Sequence, residues 1–114
     1  MKIHILHETA TPEQVSEMLE ELKTYIKLAV DVERGLVAGG GEWHADCEQA
    51  LLSYGSRQED IWGADWLPDV RQVRFEALIN IRPRQDNRSM TVQDAELCTR
   101  IEKIVRSIFE GEGQ

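Results

Sequence analysis

The apolar residues of this chain fall first at a helical spacing, then alternate with period two through the middle, and return to a helical spacing at the end. The two periods bury different faces of the backbone, so no single type of element accounts for the whole order. An α+β fold follows. Val15, Met18, Leu19, Leu22, Tyr25 and Ile26 share one helical face, while Glu13, Glu17, Glu20, Glu21 and Lys23 fill the other. Thr11 is the predicted N-cap, with Pro12 in the first turn and Gln14 closing a capping box. A last helix is predicted from Leu97, Ile101, Ile104, Val105 and Ile108, ending near Gly111, with residues 110–114 fraying.

Between the helices the signals are those of strands and turns. Residues 2–6 read as a short strand. Leu28, Val30 and Val32 alternate with Ala29, Asp31 and Glu33, and Arg34-Gly35 supplies a hairpin turn before Leu36-Val37-Ala38. Gly39-Gly40-Gly41 marks a bend or a close backbone approach. Residues 43–54 fit two patterns: Trp43, Cys47, Ala50, Leu51 and Tyr54 form a helical stripe, whereas Gln49 to Ser53 fits a half-buried strand. The turns and alternation that follow favour the strand. Asp60, Trp62, Ala64 and Trp66 alternate with Ile61, Gly63, Asp65 and Leu67, between turns at Gly55-Ser56-Arg57-Gln58 and Pro68-Asp69. The most regular strand pattern sets Val73, Phe75, Ala77, Ile79 and Ile81 against Arg74, Glu76, Leu78, Asn80 and Arg82. The expected architecture is one α+β domain over residues 1–114. An antiparallel β-meander sheet is flanked by an N-terminal and a C-terminal amphipathic helix, both on one face.

Charge narrows the partners. A net charge of −8 disfavours non-specific nucleic-acid binding, which needs a basic face. The basic residues are concentrated: residues 71–88 hold Arg71, Arg74, Arg82, Arg84 and Arg88 against only Glu76 and Asp86. An anion site belongs there. The N-terminal MKIHILHETATPEQ has no apolar run for a signal peptide or a membrane span before His7 and Glu8 interrupt it. Cys47 and Cys98 form no CxxC pair, which fits reduced thiols and a cytoplasmic location.

Two polar groups are candidates for function. Glu42, His44 and Asp46 are spaced by two, so on an extended chain they project from one side, within reach of one divalent metal (zinc, manganese or iron) or one substrate. His44 and Asp46 are also the acid/base candidates, with Asp46 fixing the imidazole tautomer. The plainer reading is a solvated strand, or a helix start capped by Asp46. The loop NIRPRQDNRS offers Asn80, Arg82, Asn87 and Arg88 to a phosphate or carboxylate, stiffened by Pro83. Its plainer reading is pairing of these arginines with Glu42, Asp46, Glu59 or Asp60. Gln58-Glu59-Asp60 reads as a polar turn, and Trp43, Trp62 and Trp66 as core or oligomer contacts. Cys47 stands three residues from His44 and faces away from it on an extended chain, which argues against a cysteine nucleophile.

The segments GGGEWHADCE, GSRQEDIWGADWLPD and FEALINIRPRQDNRS resemble the diagnostic segments of a family of small bacterial proteins, common in cyanobacteria, without an established function. The resemblance spans nearly the whole chain. It implies that Glu42, His44, Asp46, Gln58, Asp60, Asn80, Arg82, Pro83, Asn87 and Arg88 occupy motif positions, and that Cys47 stands where an acidic residue is common. The favoured function is a binding module that recognises a small anionic ligand or a partner's charged segment through this polar face. A hydrolase acting on a phosphoester, with a metal on Glu42, His44 and Asp46 and Arg82 clamping the anion, is one alternative. A structural or regulatory interaction domain, including a homodimer built on the tryptophans, is another.

Overall fold

The structure, a computed structural model, describes residues 2–111. Strand β1 (His4–Leu6) leads into helix α1 (Pro12–Met18). The predicted capping box is present: the Thr11 hydroxyl accepts from the Gln14 backbone N–H at 3.1 Å, and the Gln14 side-chain oxygen accepts from the Thr11 N–H at 2.9 Å. The helix is shorter than the stripe from Val15 to Ile26 predicts. Glu17, Glu20 and Glu21 would repel along a continued helix. Lys23 instead turns the chain through a left-handed φ of 71°, and Ile26 enters the next strand fully buried.

Strands β2 (Ile26–Asp31) and β3 (Leu36–Gly39) form the predicted hairpin, with Gly35 at a φ of 67° in its turn. Gly40 has a φ of 105°, and a Cβ there would collide with the Lys2 carbonyl oxygen. The glycine run therefore marks a close backbone approach, as expected.

Residues 43–54 depart from the expectation of a strand. They form helix α2 (His44–Ser53). Ala50, Leu51 and Leu52 are strong helix formers and the run contains no β-branched residue. Cys47 and Leu51, one turn apart, face the sheet and are fully buried, and burying Leu51 alone contributes about 2 kcal/mol. Strand β4 (Ile61–Leu67) follows, then the short β5 (Gln72–Arg74) and, after a long loop, helix α3 (Ala95–Phe109). Residues 112–114 of the predicted frayed tail lie outside the described residues.

The five strands run antiparallel in the order β1-β3-β2-β4-β5. Helices α1 and α3 share one face, over Leu28, Val30, Val37, Trp62 and Trp66. Helix α2 covers the other, over Ala29, Ala38 and Ile61. Because both faces are covered, β2 and β4 are buried on both sides, and the alternation of Asp60 to Leu67 separates two cores rather than core from solvent. Among the described residues no helix is long and apolar enough to cross a membrane.

The regular pattern from Val73 to Ile81 also departs from expectation. Only Gln72–Arg74 pairs with β4; Glu76 bridges Thr91, and Leu78–Asn80 is a single turn of 3-10 helix. Ala77 and Ile79 lie over Gly63, where a Cβ would stand 2.5 Å from the Ala77 Cβ. Leu78 and Ile81 are exposed. Alternation gives the order of faces, and the partner strand that would complete a ladder here is replaced by side chains.

Candidate functional site

Among the described residues the outer edge of β4 has no strand beside it from Ile61 to Ala64, and the loop between β5 and α3 satisfies that edge with side chains. Asn80 is fully buried; its Oδ1 accepts from the Gly63 N–H at 2.8 Å, and its Nδ2 donates to the Gly63 carbonyl at 3.0 Å. An amide group thus stands in for one residue of a neighbouring strand. Arg82 donates from Nη2 to the Ile61 carbonyl at 2.7 Å and from Nε to the Ile79 carbonyl at 2.8 Å. Its Nη1 reaches the Gln58 carbonyl at 2.9 Å, and Nη2 lies 3.2 Å from Glu48 of α2. Burial lowers the Arg82 pKa, with Glu48 opposing the shift. Asn87 pins the loop, its two Nδ2 hydrogens shared among the carbonyls of Asn80, Ser89 and Thr91 while Oδ1 accepts from the Gln93 N–H.

Around the corner from this edge, α2 and the loop enclose a cleft of about 380 Å³ lined by Lys27, Trp43, His44, Leu78, Ile79 and Met90, with Ala45 at the helix start. Its walls are apolar and open to solvent: Trp43 is 60% exposed and Leu78 71%. The polar groups lie on the sheet side. Lys27, Asp65 and Arg74 are cross-strand neighbours on β2, β4 and β5. The His44 Nε2 lies 2.8 Å from Asp65 Oδ1 and 3.1 Å from the Ala64 carbonyl, while Arg74 Nε donates to Asp65 Oδ2 at 3.2 Å. Lys27 donates to the Glu42 carbonyl at 3.1 Å and holds its ammonium 4.9 Å from the Trp43 ring centre. Asp65 is nearly inaccessible, so its charge is balanced by the groups around it rather than by water.

The cluster of Glu42, His44 and Asp46 does not converge. In a helix, residues two apart point to different sides. His44 turns to the sheet, whereas Asp46 turns back to cap its own helix, accepting from the Trp43 N–H at 3.1 Å. Glu42 lies before the helix, exposed. Among the described residues no group of three His, Cys, Asp or Glu side chains is placed to hold a metal ion, so the proposed metal set is not assembled. Arg88 is exposed, and Asn80, Arg82 and Asn87 do not line the cleft. Cys47 is buried against the Lys27 carbonyl, and burial pushes its thiol up to about 11.

His44 is thus the one candidate of the expected site that lines the cleft. Its partner Asp65, and Lys27 and Arg74 beside Asp65 on the neighbouring strands, are not among the candidate site residues, although Arg74 belongs to the arginine-rich stretch. One signal was available for Asp65: a carboxylate inside the run Ile61-Trp62-Gly63-Ala64-Asp65-Trp66 needs a partner if the strand is buried on both faces. Lys27 and Arg74 carry no such signal, because only strand register makes them its neighbours.

No curated protein and no solved structure matches the chain. The profile of the family described as "Protein of unknown function (DUF5674)" matches residues 4–108, nearly the full length, and the chain belongs to that family.

Proposed function

We propose that this domain is a binding module whose cleft between α2 and the loop after β5 takes an acid carrying an apolar body. What carries the reading is the composition of one cavity. Trp43, Leu78, Ile79 and Met90 offer apolar surface, and Lys27, whose ammonium gives one of its three hydrogens to the Glu42 carbonyl, lies at the same opening. An apolar pocket with a few convergent polar groups is the usual form of a small-molecule site. A carboxylate or phosphate would sit at Lys27 and the apolar part would stack on Trp43. The same chemistry serves an acidic segment of a partner protein. The two free thiols fit a reducing, cytoplasmic setting, and the family resemblance suggests a bacterial one.

Titration with phenylacetate and phenyl phosphate, followed by tryptophan fluorescence and thermal shift, tests the proposal. Trp62 and Trp66 are buried, so any change in exposed emission reports Trp43. The expected result is a saturable blue shift with stabilisation, approaching about 2.7 kcal/mol at a hundredfold excess over Kd, and both lost in Lys27→Met. No saturable response from either compound, in a protein that melts cooperatively, overturns the small-molecule reading. A response only to acidic peptides assigns the cleft to a protein partner.

A further inference from the structure

The cleft also carries information about what else its ligand must present, and this inference rests on the binding reading above. His44 Nε2 faces two hydrogen-bond acceptors, the Asp65 carboxylate at 2.8 Å and the Ala64 carbonyl at 3.1 Å. Neither can donate, so Nε2 must carry a hydrogen. Arg74 Nε donates to the other oxygen of Asp65 at 3.2 Å, and the Ala64 carbonyl accepts whatever its neighbours do. In the neutral ring Nδ1 is therefore left with a lone pair. It has no partner among the described residues, yet no buried side-chain nitrogen or oxygen there lacks one, so Nδ1 is reached by solvent. His44 lines the cleft, and Nδ1 is the only polar atom its side chain has left to offer.

We infer that the cleft selects an apolar or aromatic acid that also bears an O–H or N–H donor, with Lys27 taking the acidic group and His44 Nδ1 accepting from the donor. Asp65 is the positioning residue: it sets the tautomer and touches no ligand. The division of labour follows from the two groups' chemistry. An ammonium can only donate, and a neutral imidazole held at Nε2 can only accept. A plain acid would satisfy Lys27 and leave Nδ1 facing apolar surface, which is the situation that makes polar sites discriminate.

Two measurements test this. Nitrogen-15 NMR of the ligand-free protein at pH 8.5, with His44 assigned by comparison with His44→Phe, reads the tautomer directly; the hydrogen is expected on Nε2. Affinities for phenylacetate and its 2-, 3- and 4-hydroxy derivatives then read selectivity. At least one hydroxy derivative is expected to bind about fivefold tighter than phenylacetate, the worth of one neutral hydrogen bond, and the preference should vanish in His44→Phe. A hydrogen on Nδ1 overturns the inference whatever binds. Phenylacetate binding as well as all three derivatives overturns it while leaving the binding module standing. If none of the four binds, the binding reading fails and takes this one with it. Should His44→Phe not fold, assignment through His4→Gln and His7→Gln and the wild-type affinities still decide.

Discussion

Replacing Asn80 with alanine should unfold more of this protein than any single loop substitution ordinarily does. Asn80 is fully buried and its side chain reaches four backbone groups: Oδ1 accepts from the Gly63 N–H, and the two Nδ2 hydrogens are shared among the carbonyls of Gly63, Phe75 and Met90. Alanine removes all these contacts. The Phe75 and Met90 carbonyls lie nearer solvent and can turn to water. The Gly63 N–H and C=O cannot, because they belong to a strand packed on both faces. Leaving a buried backbone group unpaired costs about 1–3 kcal/mol, so the two together predict a loss of about 2–6 kcal/mol. That is a large fraction of the 5–15 kcal/mol or so that holds a typical domain folded. Urea unfolding followed by the fluorescence of the buried Trp62 and Trp66 measures it. Asn80→Asp sharpens the comparison. It keeps the acceptor for Gly63 N–H but turns a carboxylate oxygen toward the carbonyls, which raises the folded-state pKa of the new acid. Its stability should thus be best at low pH, where the protonated acid can donate, and fall as pH rises. A loss under about 1 kcal/mol for Asn80→Ala with an unchanged m-value would refute the idea that this side chain replaces a strand.

Two further perturbations probe the neighbouring structure. Burial pushes the Cys47 thiol from its ordinary 9.0 to about 11, so the folded state keeps a proton that the unfolded chain has lost. The stability this contributes is intact below pH 9 and disappears as pH rises through 11, worth about 2–3 kcal/mol by linkage. The stability difference between wild type and Cys47→Ala should shrink across that interval, and parallel pH curves would contradict it. Arg82→Lys replaces a fork that reaches the carbonyls of Gln58, Ile61 and Ile79 and the Glu48 carboxylate with a single ammonium. It should cost about 2–3 kcal/mol in thermal or urea melts, and an effect within about 0.5 kcal/mol would place Arg82 outside the structural framework.

The Thr11 cap, the hairpin at Gly35, strand β4 and helix α3 depend on residues within a few positions of one another, and their patterns survive in the fold. The errors lie where a pattern admits two partners. Gln49 to Ser53 suits a strand or a helix until Cys47 and Leu51 find the apolar face of β2 and β3. Val73 to Ile81 alternates like a strand but has only a side-chain edge to lie against beyond Arg74.

The candidate site shows the same division. His44 and the arginine-rich loop could be singled out from residue types alone, and the sequence by itself determined the α+β class, the capped first helix, the hairpin and the two terminal helices. It also paired His44 with Asp46, two residues away, because an extended chain would place them together. The tertiary structure decided otherwise: a helix turns Asp46 aside, and sheet register brings Asp65, 21 residues distant, to 2.8 Å from the imidazole, with Lys27 and Arg74 on either side. Local conformational preference acts over a few residues and is written in adjacent ones. Which distant charges share a cleft depends on strand order and register, and those are settled only when both faces of the sheet are buried at once.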